Sequence, residues 1–118
     1  MAKKKKKINT IPPIKVKQNA VRGLEIRAKQ PKSKKAMKDA QGNDSTGVQT
    51  ARKLIAGRAL SIQTIKTMRA WFARHDTPEE RANRKNDKTS KAYQSWLAWG
   101  GDAGRRWSNY IMDRIEKS

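Results

Sequence analysis

The chain has 118 residues, of which 29 are Lys or Arg and 10 are Asp or Glu, giving a formal net charge of +19 with one histidine and no cysteine. That charge selects polyanionic partners, namely nucleic acid, an acidic protein surface or an anionic membrane, and the lack of cysteine excludes disulfides, thiol nucleophiles and thiolate zinc sites. With 35% apolar residues and a mean hydropathy of −1.03, only part of the chain can be core, one small domain is expected, and no run approaches the ~20 apolar residues of a membrane span.

Residues 1–44 carry 14 basic and 3 acidic residues and are expected to form a basic arm and linker. The arm opens with Lys3, Lys4, Lys5, Lys6 and Lys7, which read either as a solvated tail that keeps the protein soluble or, favoured by a charge density that condenses onto polyanions whether or not it folds, as a contact to phosphates or carboxylates. It leads into IPPIKV rather than an apolar signal core, so export is not expected. Pro12 and Pro13 forbid helix there and favour extended geometry, with Lys15 and Lys17 following as further phosphate contacts. Val21, Leu24, Ile26 and Ala28 have roughly helical spacing, which supports a short helix over 19–30. Pro31 ends it, and KSKKAMKDAQGNDSTG reads as a basic, mobile linker.

Residues 45–118 are expected to be a small all-α domain of about four short helices, because no segment alternates apolar and polar residues. A helix over 46–56 places Val48, Ala51, Leu54 and Ile55 on one face, and Gly57 ends it. Ser61 caps a helix reaching Arg74, whose apolar face is Ile65, Met68 and Phe72. PEERANRKNDKT reads as a polar connection with at most one helical turn at Pro78. A third helix from Ser90 carries Tyr93, Trp96 and Leu97, ends at Trp99 and is stopped by Gly100 and Gly101. Asp102 is the expected cap of the last helix, over 102–116, with Trp107 and Ile111 inward. The large rings all fall between positions 71 and 110, each able to bury on the order of 150 to 250 Å², so that is where the core is expected.

Two blocks, SIQTIKTMRAWFARH (61–75) and AYQSWLAWGGDAGRRW (92–107), resemble a small module found in proteins of tailed phages and prophages. In it, a serine-capped helix ending in aromatic-Phe-x-Arg-His precedes a Trp-Gly-Gly-Asp-x-Gly-x-x-Trp block. The module occurs alone or fused to head-assembly proteins such as proteases and portal-like proteins. The resemblance spans roughly 47–115 and covers none of the lysine-rich start. It implies a viral origin and a place near head assembly or packaged genome, hence in the virion or host cytoplasm, and it implies no activity.

GGDAG followed by Arg105 and Arg106 has the glycines and free N–H groups of a phosphate cradle. It equally suits a tight interhelical turn in which Asp102 competes for those groups, and the flanking strand of a nucleotide loop is missing. His75 beside Asp76 has no nucleophile in view and reads as a helix-end residue favoured by the dipole. No enzymatic role, metal or cofactor is therefore expected. The tryptophans can stack on bases, but their helical spacing assigns Trp96 and Trp107 to the core. Lys66, Arg69, Arg74, Arg105 and Arg106 are expected to line one basic surface that contacts nucleic-acid backbone rather than bases. The resulting expectation is a non-enzymatic phage structural or head-associated protein. Its arm binds nucleic acid or an acidic capsid or portal-type protein while its domain docks on a virion protein. The alternative is a free, sequence-nonspecific DNA- or RNA-binding accessory protein of the infected cell.

Overall fold

The computed structural model describes residues 8–38 and 41–117; the Lys3–Lys7 run lies outside them. Six α-helices are seen among the described residues: α1 (Ile14–Ala28), α2 (Thr46–Ala56), α3 (Ile62–His75), α4 (Pro78–Asn86), α5 (Lys91–Ala98) and α6 (Gly101–Lys117), with a 3₁₀ turn at Lys32–Lys34. The all-α expectation holds, with six helices in place of four. One isolated bridge, Lys38 to Asp44, is the only β pairing described.

Outside the four expected in 45–118, α1 stands where a short helix over 19–30 was expected, but shifted. The expectation was an extended piece at IPPIKV and a helix over 19–30, but Pro13 instead stands at the N-cap with ψ 156° and the helix starts at Ile14. A proline just outside the first turn gives up no intrahelical bond, since the first N–H groups have no partner there. The buried face of α1 is Val16, Ala20 and Gly23, a stripe at i, i+4 and i+7 made of small residues. Its smallness is the reason it packs so closely: a Cβ at Gly23 would lie 2.6 Å from the backbone nitrogen of Ala98 in α5. α1 packs chiefly on α5 and next on α2. Val16 and Ala20 share one core cluster with Ala51, Leu54, Ile65, Met68, Phe72, Trp96 and Trp99. The core therefore draws on both sides of the expected 44/45 boundary, and residues 14–28 belong to the body of the domain rather than to an arm.

The expected mobile linker is tied down by side-chain hydrogen bonds. Gln94, fully buried, accepts from the Ala36 backbone N–H at 2.9 Å and donates to Lys34 and Thr89 carbonyls at 2.9 and 2.8 Å. Arg27 donates to the Ala36 carbonyl and to Asp44 at 2.8 and 2.7 Å. Lys35 Nζ reaches back to the carbonyls of Arg27 and Ala28, each at 3.0 Å, satisfying acceptors that the end of α1 leaves open.

The remaining helices follow their caps. Gly57 takes φ +70° to close α2, and Ser61 and Ser90 accept from Thr64 and Tyr93 N–H, both at 3.1 Å, to open α3 and α5. α4 is nine residues where one turn was expected, capped by Thr77 with Pro78 in its first turn; it buries none of its residues. α3 runs antiparallel along α6, with Arg69 meeting Glu116 at one end and Phe72 approaching Gly104 toward the other. Of the expected core, Ile65, Met68, Phe72, Trp96, Leu97 and Ile111 are buried, whereas Trp107 packs at the margin and Tyr93 is half-buried. Trp99, expected only to end its helix, is 3% exposed and belongs to the core.

GGDAG is a packing turn. Gly100 and Gly101 take φ +112° and +66°, which L side chains rarely adopt. A Cβ at Gly100 would also strike Val16, and one at Gly104 the Trp99 carbonyl. α6 begins at Gly101, so Asp102 sits inside the first turn and is not the cap; its carboxylate instead accepts the Trp96 indole N–H at 2.9 Å.

Candidate nucleic-acid interface

α4, PEERANRKN, has Glu79 and Glu80 in its first turn and Arg84 and Lys85 in its last, each sign at the end of the helix dipole that favours it. With no buried residue of its own, it stands as a ridge. Arg81, Arg84 and Lys85 look to one side, continued by Lys88, at i, i+3, i+4 and i+7; Glu80 and Asn83 look to the other. A groove runs along each side.

The first groove, about 510 Å³, brings together Arg81, Arg84, Lys85, Lys88 and Arg105 with Asp76 and Asp102. Arg84, 12% exposed, lays its guanidinium over the Trp96 ring at 3.7 Å and donates to the His75 carbonyl at 3.3 Å. Burial lowers its proton affinity while Asp76, Asp102 and Glu80 oppose that, and it stays charged because guanidinium does not deprotonate in proteins. Asp76 is held below the usual carboxylate range, first by its hydrogen bond from Arg81 at 2.7 Å. Lys88 lies 5.0 Å above the Tyr93 ring, within cation–π reach.

The second groove, about 970 Å³, opens between the 32–38 segment and α3, α4 and α5. Lys32, Lys35, Lys38, Arg74 and Lys91 line it together with Trp71, His75 and Trp99.

The structure divides the basic residues expected to form one surface. Arg74 lines the larger groove and Arg105 the smaller. Arg69 is engaged by Glu116 at 2.6 Å, which raises its pKa and lowers that of Glu116. Lys66 and Arg106 are exposed on α3 and α6, and Lys15 and Lys17 on α1. The lysines and arginines that α4 and the 32–38 segment contribute were missed. The signal for the former was present, since positions 81, 84, 85 and 88 trace one face of any helix begun at Pro78.

Half of the ten acidic residues are engaged by basic side chains of the fold. Asp44 pairs with Arg27 and Arg52, Asp76 with Arg81, Asp87 with Lys34, Glu80 with His75 and Glu116 with Arg69. Asp44 is held low chiefly by the Arg27 hydrogen bond. Asp87 is lowered to about 2 by hydrogen bonds from the Thr89 hydroxyl and backbone N–H and from Lys34. The unbalanced charge of this chain is therefore cationic and faces outward. No family model, curated protein or solved structure matches the chain. Among the described residues no cluster of three or more His, Asp or Glu is placed to hold a metal ion, and no helix is long and apolar enough to cross a membrane.

Proposed function

We propose that this chain is a non-enzymatic, backbone-directed nucleic-acid-binding protein associated with a tailed-phage head. Its lysine-rich start and the cationic sides of the α4 ridge meet phosphates, and its tryptophan-centred body docks on a head protein. The observation that carries the polyanion reading is the internal use of acid. Four of the ten carboxylates are engaged by Lys or Arg of the same chain and Glu80 by His75, leaving few acids to oppose a net charge of +19. Such a surface attracts phosphate by counterion release and reads sequence weakly. The phage assignment rests on the resemblance of the two blocks at 61–75 and 92–107.

A salt titration tests the first part. Affinity for DNA is expected to be strong at about 50 mM salt and to fall steeply by about 200 mM; absence of binding at the lower salt would remove it. Mass spectrometry of purified particles tests the second, with the chain expected at many copies. Its absence from particles would instead make it a free accessory protein of the infected cell.

A further inference from the structure

The larger groove combines two features that serve different parts of a nucleotide. Trp71 lies at its base, stacked on Trp99 with centroids 4.9 Å apart and planes at 12°, and on His75 at 4.4 Å and 27°. His75 is 37% exposed and its Nδ1 lies 2.9 Å from Glu80. The imidazole is thus fixed in its plane by a hydrogen bond and against one face by an indole, so a planar group arriving from the groove meets an aromatic surface already ordered. Glu80 is the one acidic residue lining the groove among the described residues, and His75 already engages it.

Around these rings stand Lys32, Arg74 and Lys91. None of the three has a carboxylate within ion-pair distance among the described residues, in contrast to Arg27, Lys34 and Arg69. Lys35 and Lys38 at the same rim are spent on backbone carbonyls. Free cations beside an ordered aromatic platform are what single-strand binders use, the cations for phosphates and the rings for base faces. A duplex offers these rings no base face, because each is covered by its neighbour in the stack. An acidic peptide would use the cations and leave the rings idle.

We propose that the groove bounded by the 32–38 segment, α3, α4 and α5 binds a short single-stranded nucleic-acid segment, with a base against the His75–Trp71 stack and phosphates along Lys32, Arg74 and Lys91. This rests on the polyanion reading above and adds to it a strand preference and a place.

The test uses the full chain with a fluorescent oligothymidylate of about 12 nucleotides, a duplex of equal length, and a strand in which the thymines are replaced by abasic sites. The thymidylate is expected to quench tryptophan emission, and the duplex, at equal saturation, to leave it unchanged. The abasic strand should bind at least about fivefold more weakly, the equivalent of one stacked base. Replacing Lys32 and Lys91 by alanine should reduce the logarithmic salt slope for the thymidylate by about 1.4, two contacts at about 0.7 each. Lys53→Ala with Arg58→Ala, matched in charge and away from the groove, should leave the quench intact. Equal binding of thymidylate and abasic strand, or an unquenched complex, would overturn the groove while sparing the polyanion reading. Failure of all three oligonucleotides to bind at about 50 mM salt would overturn both.

Discussion

Asp102 and Trp96 are joined across the double-glycine turn by an indole N–H···carboxylate hydrogen bond of 2.9 Å, which fixes the ring on which Arg84 lies. One acidic side chain therefore orients the wall of the smaller groove. Asp102→Ala is expected to destabilise the protein by about 1 to 2 kcal/mol, the range of a hydrogen bond to a charged acceptor reduced for its exposure. Urea unfolding measures it. In a Trp96→Phe background the same change should cost distinctly less, since the two effects share one interaction.

Gly23→Ala would improve helix propensity by about 1 kcal/mol, yet its Cβ would sit 2.6 Å from the Ala98 nitrogen and 3.0 Å from the Gln94 carbonyl. Backbone cannot yield as a side chain can, so overpacking wins and a net loss of about 1 to 3 kcal/mol is expected. Gly47→Ala, whose Cβ would first meet the flexible Met37 side chain at 2.8 Å, should cost less. Thermal melts of the two variants give the order, and a stabilised Gly23→Ala protein would contradict the close α1–α5 crossing.

Gln94→Leu would leave the Ala36 N–H and the Lys34 and Thr89 carbonyls without their partner. Unmet groups of this kind cost about 1 to 3 kcal/mol each where they stay dry, and opening of the segment to water limits the sum. The expected signature is local: hydrogen exchange at Ala36 should accelerate strongly while the amides of α6 keep their protection. Unchanged exchange at Ala36 would show that something else holds the wall of the larger groove.

Acid should weaken the fold in a defined window. Asp87 has its pKa lowered to about 2 by Thr89 and Lys34, and Asp44, Asp76 and Glu116 are lowered by Arg27, Arg81 and Arg69. Groups with depressed folded values add stability above their unfolded values near 4 and lose it as pH falls through the folded ones. Melting temperature is thus expected to be level from neutrality to about pH 5 and to drop between about 4 and 2. Asp87→Asn should shallow the lowest part of that drop.

Most helices that the sequence made plain have both a cap and large apolar residues, and α6 was legible from its apolar spacing although Asp102 is not its cap. Ser61 with Ile65, Met68 and Phe72 defines α3; Ser90 with Trp96 and Leu97 defines α5; and Gly57 closes α2. α1 was misplaced because its inward face is Val16, Ala20 and Gly23, and small residues register as weak hydrophobic signal although their smallness is what permits contact. α4 was reduced to a turn because it has no apolar face at all; its helicity comes from the Thr77 cap and charges matched to the dipole. The smaller groove was legible in the spacing of Arg81, Arg84, Lys85 and Lys88. The larger one was not, because Gln94, some 60 residues away, is what brings Lys34 and its neighbours to α5, and no local pattern announces such a pairing.

The bond from Asn19 to the Gly100 carbonyl spans 81 positions of the chain, and it has a consequence for how the molecule is made. During translation α1 can meet α2 early, but its chief seat, α5 and the turn after it, is made much later. The full seat of α1 is assembled only when that late turn arrives, and closure of the long loop is the expected slow step of folding.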